Sequence, residues 1–376
     1  MLPELRILFL MDPSTSGALE LMRGFNAVAQ VRGWEVYRPG RTEYVPSEGF
    51  VPHGLAIGPG VSPAAISQWN GPVVSMALDL SACGIPSVDS DDFAVGALAA
   101  THLRHTGIGR FAYFGEVHSA WSRLRMEGFR RELAKINRPC ALWTEHPGNA
   151  VQENWSAPSI AHWIESLEKP VAIFAGCDIW ARTLLRGCRT AGVRVPEQVS
   201  VLGVDNYEFE CSMANPPLSS IDIAWRRIGE EAALQLDRAI SGKAQPNERM
   251  LLPPIGVVTR ASTDLVSVDD PNVSAALRFI RQNADKPISV ADILKEVSTF
   301  QHNLERGFRK YVGRTMLAEI RRVRVERAQR LLSTTTLSIE SVAHHCGFPN
   351  ATKLGIAFRR ETSFTPGAYR KRHRNG

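Results

Sequence analysis

Short apolar runs rich in β-branched and aromatic residues recur along the first 265 positions, at Leu5–Met11, Gly54–Gly58, Pro72–Leu78, Arg110–Gly115, Val171–Ala175 and Val199–Val204. Between most of them the apolar residues fall at helical spacing. Val95, Leu98, Ala99 and Leu103 share one face of 93–105, and Ile228, Ala232, Leu236 and Ile240 share one face of 224–240. Strand and helix in alternation predict parallel sheets covered by helices on both faces, the doubly wound α/β class.

From Val273 onward the period is helical throughout. Val273–Asn283 predicts one helix, and Ser289 opens another as N-cap, with Asp292 completing a capping box. A turn at 297–299 leads into Gln301–Tyr311, whose Leu304 and Phe308 face inward. The arrangement repeats: Leu337–Ala343 opens a helix, Gly347 and Phe348 turn, and 350–360 forms a second presented helix. Between the two units Met316–Leu332 reads as an amphipathic helix with Ile320, Val323, Ala328 and Leu331 inward and Arg321, Arg322, Arg324, Arg327 and Arg330 largely outward. Two helix-turn-helix units on one rigid helix fit successive major grooves about 34 Å apart. A polar joint from Asp264 to Pro271 separates the halves, so the predicted domains are 1–265, an effector-binding domain, and 266–376, an all-α DNA-binding domain.

Charge sharpens this division. Residues 272–376 carry 20 Lys and Arg against 8 Asp and Glu, a net +12, whereas the whole chain of 376 residues is +6, which leaves the first 271 residues at −6. A basic domain behind an acidic body is the electrostatic footprint of a polyanion partner, because each neutralised phosphate releases condensed counterions. No apolar run reaches the 18 or so residues that a bilayer demands, so no membrane association is expected. The first strand lacks the basic flank of a secretion signal, which points to the cytoplasm. The six cysteines are scattered without a C-x-x-C pair or histidines at metal-ligand spacing, so neither a metal nor another cofactor is expected. The motifs G-x-S-x-G, H-E-x-x-H and G-x-x-x-x-G-K-[ST] are absent from the sequence, and an enzyme is not expected.

Doubly wound sheets bind ligands at the carboxyl ends of their strands. Three predicted strands run into acidic residues there: Asp12, Asp178, and Asp205 followed by Asn206. Carboxylates and an Arg fork supply the paired hydrogen bonds that vicinal sugar hydroxyls require; each Asp serves equally well as a cap for the helix that follows. The segments 88–115, 125–133, 171–206, 216–223 and 228–242 resemble, in order, the effector domain of LacI-type regulators and periplasmic sugar-binding proteins. That resemblance implies two lobes with the effector in the cleft between them. It places the Arg of the family's R-x-x-G-F element on Arg125, the Asp of its G-x-D-N element on Asp205, and the Asp after the preceding strand on Asp178. Asp92 takes the Asp/Asn position after the inter-lobe crossing. Trp121, one helical turn before Arg125, suits either stacking on a pyranose ring or the core. Asp12 begins the segment Asp12–Gly17, which replaces the usual aromatic and charged pair, so one wall of the pocket is expected to be rebuilt.

The last hundred residues resemble the AraC-type DNA-binding domain. Its signature L-S-I-x-x-V-A-x-x-x-G-F is met by Leu337–Phe348, its F-[KR]-[KR] by Phe358–Arg360, and its T-P-x-x-Y-R by Thr365–Arg370. Candidate DNA-facing residues are Gln301, His302, Asn303 and Arg306 on the first presented helix and Asn350, Thr352 and Lys353 on the second. Gln and Asn suit adenine, and Arg suits guanine. Arg321, Arg322, Arg370, Lys371 and Arg372 read as phosphate contacts or plain surface. Phe300 stands where the family has an N-cap Ser, Gly307 replaces an Arg or Lys at a propensity cost of about 1 kcal/mol, and Lys353–Ile356 replaces Tyr-Phe-Ser-Arg. A LacI-type sensor ahead of an AraC-type domain resembles sugar-operon regulators of the xylose type. It implies a homodimeric, sequence-specific regulator of a sugar-catabolism operon on double-stranded DNA, with a small sugar such as D-xylose as effector. Activation is the first expectation, with RNA polymerase then a partner, although repression fits the residues too. The alternative is a sensor that holds no ligand, or a non-sugar one, and serves mainly for dimerisation.

Overall fold

A computed structural model describes residues 5–39, 50–77, 84–116, 118–143, 156–243, 248–264, 270–297, 299–362 and 364–374. In chain order its elements are β1 (Arg6–Leu10), α1 (Ala18–Arg32), β2 (Glu35–Tyr37), β3 (Gly54–Ile57), β4 (Val73–Met76), β5 (Ser87–Ser90), α2 (Asp92–Arg104), β6 (Phe111–Phe114), α3 (Ala120–Ala134), β7 (Cys140–Leu142) and α4 (Ala157–Ser166). They continue through β8 (Val171–Ala175), α5 (Asp178–Thr190), β9 (Val199–Val204), α6 (Glu208–Met213), β10 (Ser219–Asp222), α7 (Trp225–Ile240), β11 (Arg249–Leu252) and β12 (Gly256–Val258). The helical region comprises α8 (Pro271–Asn283), α9 (Val290–Glu296), α10 (Gln301–Gly307), a π-helical turn (Phe308–Val312), α11 (Met316–Thr334), α12 (Ile339–His345), α13 (Ala351–Thr362) and α14 (Pro366–Arg374).

The chain divides into two compact units, the first made of residues up to Asp91 with Ile223–Pro254, the second of Asp92–Asp222 with the chain from Ile255 onward. The first unit holds a six-stranded, wholly parallel sheet of order β11-β5-β4-β3-β1-β2. The second unit holds the sheet β12-β10-β9-β8-β6-β7, parallel except for β12 at the edge, which runs antiparallel to β10. The two sheets thus repeat one winding, the form expected of two lobes. Every residue of β3, β6, β8 and β9 is buried, which is why these strands read as near-continuous apolar runs, broken only by Ser200 in β9, rather than as alternation.

Glycine brings the covering helices unusually close. A Cβ on Gly96 of α2 would stand 1.9 Å from the Arg125 carbonyl oxygen, and one on Gly128 of α3 would stand 2.1 Å from that of Phe93. Only the absence of both side chains lets α2 and α3 touch backbone to backbone, and this contact sets Asp92 beside Arg125. Gly24 and Gly229 do the same for α1 and α7 in the first unit, with Cβ positions 1.8 and 2.1 Å from opposing carbonyl oxygens.

The helical region has two separate cores. Val273, Leu277, Ile280, Ile293, Leu304, Phe308 and Ile320 form one, and Val325, Ala328, Leu332, Val342, Leu354, Phe358 and Tyr369 form the other. Helix α11 contributes to both. Ser289 and Asp292 form the reciprocal capping box that the sequence predicts, and in the second unit Ser338 caps α12 by accepting from the backbone N–H of Ser341. The boundary at 265/266 falls within residues 265–269, outside the described residues.

One expectation for α11 needs correction. Arg322 does not point outward: its side chain is 12% exposed and pairs with Glu319 at 2.7 Å and with Glu326. Arg324 also turns inward, and its Nε and Nη2 donate to the carbonyls of Ala284 and Lys286 at 2.9 and 2.7 Å. The helix is buried on more than one side, because it bridges two cores and also contacts the second sheet through β12.

Candidate effector site and DNA-binding surface

The carboxyl ends of β6, β8 and β9 carry a buried charge cluster. Arg125, 3% exposed, projects from α3 and donates from Nε to Asp92 Oδ1 at 2.8 Å and from Nη1 to the Gly176 carbonyl at 2.6 Å. Its Nη1 also lies 3.7 Å from Asp205 Oδ1. Burial works against the guanidinium charge, but Asp92 and Asp205 outweigh it and raise the Arg125 pKa. A desolvated cation between two carboxylates is stable only while all three remain together, and it presents a fixed array of donors and acceptors.

Around this array the remaining candidates take distinct places. Trp121 is half-buried, stacks on Trp180 with centroids 5.0 Å apart, and has the Arg125 guanidinium 4.8 Å from its ring centre. Asp205 and Asn206 adopt φ values of 106° and 49°, a left-handed backbone that non-glycine residues seldom hold. The Asn206 N–H donates to Ser220 Oγ at 3.0 Å, and its side-chain oxygen accepts from Arg260 at 2.9 Å. Asp178 is fully buried and its carboxylate is occupied: Oδ2 accepts from the Tyr207 N–H at 2.8 Å and from Cys211 Sγ at 3.3 Å, and Oδ1 from Ser220 Oγ at 2.6 Å. Burial and the Asp205 charge push its pKa upward. Neither reading of Asp178 from sequence anticipates these partners, since it caps no turn of its own helix and turns toward the β9–α6 loop. Asp12 belongs to the first unit, where its carboxylate accepts from both N–H and Oγ of Ser14 at 2.9 and 2.7 Å; these bonds lower its pKa. It does not cap α1, whose N-cap is Gly17.

In the helical region α10 and α13 present polar faces. Gln301, His302 and Arg306 are exposed and Asn303 is partly so; on the second unit Asn350, Thr352 and Lys353 are exposed. Gln301 donates to Glu305 at 2.8 Å, and Arg306 to Asn303 at 3.1 Å. The Asn350 side-chain carbonyl oxygen accepts from the Lys353 N–H at 2.9 Å and so caps the first turn of α13. Phe300 is 74% exposed and stacks on His302. Gly307 has a packing reason, because a Cβ there would stand 2.5 Å from Val273 of α8. Arg309, Lys310, Arg359 and Arg360 are also exposed; the sequence assigns none of them a DNA contact, although Arg359 and Arg360 belong to the family signature, and only the helical period distinguishes them from core positions. A groove beside α10 is lined by Asn272, Thr299, Asn303, Arg306 and Lys310.

No described helix is long and apolar enough to cross a membrane. Among the described residues no group of three or more His, Cys, Asp or Glu could hold a metal ion.

A periplasmic-binding-protein-like domain model matches residues 100–263, and a helix-turn-helix domain model matches 293–372. The xylose operon regulatory protein of Escherichia coli is 33% identical over 288 residues, which span 75% of this chain and 73% of that protein. That of Haemophilus influenzae is 32% identical over 290 residues, 76% of this chain and 74% of the relative. The solved structure of the xylose-binding transcription activator XylR superposes with a TM-score of 0.61 at 27% identity, covering 100% of both chains. These relatives are transcription regulators rather than enzymes. The chain therefore belongs to the xylose operon regulatory protein family, DNA-binding regulators in which a periplasmic-binding-protein-like domain precedes an AraC-type helix-turn-helix domain.

Proposed function

We propose that the protein is a transcription activator of a sugar-catabolism operon with D-xylose as its effector. The observation that carries this reading is the Asp92–Arg125–Asp205 cluster, a buried array of paired donors and acceptors at the strand ends of the second lobe. Vicinal hydroxyls of a pentose satisfy such an array without adding charge. Trp121 and Asn206 of the same unit add further contacts, Asp178 holds the adjoining turn through the Tyr207 N–H, and Asp12 is the candidate contact of the first unit. In this reading residues 1–265 form the sensor and 266–376 the DNA-binding domain. Gln301, His302, Asn303 and Arg306 read bases from α10, and Asn350, Thr352 and Lys353 contact DNA from α13, phosphate more than bases, so that the first unit carries most of the specificity. The working unit is a homodimer, and RNA polymerase is the partner that activation requires. Sugar binds one state of the sensor more tightly and shifts the population toward it.

The test is thermal unfolding against a panel of pentoses and hexoses. A ligand at a hundredfold excess over its Kd stabilises the folded state by about 2.7 kcal/mol. D-xylose should raise the midpoint, and Asp205→Ala should abolish the rise. A shift with another sugar reassigns the effector; no shift with any sugar favours a sensor kept for dimerisation.

A further inference from the structure

The strained turn after β9 is tied to the helical domain through one side chain. Arg260, 17% exposed, follows β12 and reaches back to the turn: Nη2 donates to Asn206 Oδ1 at 2.9 Å and to Glu208 Oε2 at 3.1 Å, and Nη1 donates to the Leu218 carbonyl at 2.9 Å. The next residues are stitched into the sheet. Ser262 donates from its N–H to the Pro217 carbonyl at 3.0 Å and from Oγ to the Val201 carbonyl at 2.6 Å, and it accepts from the Ser219 N–H at 2.8 Å. Thr263 Oγ1 pairs with Ser219 Oγ at 2.7 Å and with His102 Nε2 at 3.0 Å. Asp264 then forms an ion pair with Arg281 of α8. Five consecutive residues thus run from the turn to the first helix of the DNA-binding region without a break in polar contacts.

The other end of this run is strained. Asp205 and Asn206 are two successive left-handed non-glycine residues, a conformation that persists only where the surroundings over-determine it. Here the surroundings are Asp178, Ser220 and Arg260. We propose that Arg260 is a positioning residue through which the conformation of the Asp205–Glu208 turn reaches α8 and the helix-turn-helix units. Coupling of this kind needs an element with two arrangements, and the proposal assigns that role to the strained turn. The proposal rests on the reading that this turn contacts the effector.

Hydrogen exchange on the full chain tests it. Asn206→Ala removes the acceptor at the turn and should raise amide exchange several-fold both in 259–264 and in α8. In an Arg260→Gln background the same substitution should add nothing in α8. A rise confined to 204–208, or an equal rise in α8 without Arg260, overturns the proposal. If Arg260→Gln does not fold, Arg260→Lys keeps the charge but not the fork of donors, and should give the same loss of coupling. A parallel arm with D-xylose separates the two claims. Absence of any protection by the sugar in the wild type counts against the effector reading, while the comparison of variants still decides the role of Arg260.

Discussion

Replacing Arg125 by Met tests the charge cluster directly. Met fills much of the same volume, but it leaves Asp92 and Asp205, 4% and 8% exposed, without their cation. Removing one partner from a buried ion pair typically costs about 3–5 kcal/mol, since the stranded charge keeps its desolvation penalty. Loss of the guanidinium from the Trp121 face adds roughly 0.5–2 kcal/mol. For a unit of this size the ion-pair loss alone lowers the midpoint of unfolding by roughly 6–20 °C. Urea unfolding followed by tryptophan fluorescence is suitable, because Trp121, Trp143, Trp163 and Trp180 lie in or against one core of the second lobe. Adding Asp92→Asn and Asp205→Asn to Arg125→Met removes the stranded charges and should recover a large part of the loss, a coupling that independent sites would not show. A single-variant loss below about 1 kcal/mol, the range of a surface ion pair, would show that the cluster is not a desolvated ion pair. So would a triple variant no more stable than the single one.

Three further outcomes follow from the geometry. His102 is buried, and burial together with Arg322, His105, Arg281 and Arg314 lowers its pKa well below 6.5. The unfolded chain then takes a proton that the folded chain refuses, so stability is full above pH 6.5 and falls on acidification by up to about 1.4 kcal/mol per pH unit. His102→Gln should flatten this slope between pH 6.5 and 5.5, and an unchanged slope in denaturant titrations excludes the histidine as its source. Gly96→Ala sets a methyl group against the Arg125 carbonyl, forces α2 from α3, and should cost about 1–3 kcal/mol; wild-type stability there would contradict the close helix contact. On DNA, Arg306→Ala should cost about 1–3 kcal/mol and relax preference at one base pair, whereas Arg359→Ala should weaken all sequences alike and lower the salt slope by about 1. Binding by fluorescence anisotropy across salt concentrations distinguishes the two, and a uniform loss for Arg306→Ala removes it from the base-reading set.

Much of the fold was legible because its signals are local. Apolar runs located the central strands, and the Ser289–Asp292 capping box and the Gly347 turn marked the helix-turn-helix units within a few residues each. Short edge strands such as β2, β7 and β12 left no comparable signal, since three residues carry no period. Arg322 was misplaced for a related reason. A helical wheel assumes one buried side, but α11 is enclosed from several directions and neutralises an inward arginine with Glu319, whose carboxyl burial pushes up and the Arg322, Arg314 and Arg281 guanidiniums hold down at about 2. Asp178 and Arg260 show the limit for the site. Their partners Ser220, Tyr207 and Asn206 lie 29 to 54 positions away, so only the folded chain reveals that one carboxylate is already occupied and that one arginine reaches the strained turn.

In the proposed function a sugar-bound sensor alters DNA binding by the same chain. Duplexes selected by the wild-type protein from a random library should share two contact blocks about one helical turn apart. Titrating D-xylose into the complex with such a duplex, at fixed salt, should shift its dissociation constant by roughly 5- to 150-fold, the usual range of allosteric coupling. Asp205→Ala should bind the same duplex and show no shift. Selected duplexes whose affinity is indifferent to D-xylose and to every other sugar tested would contradict the account.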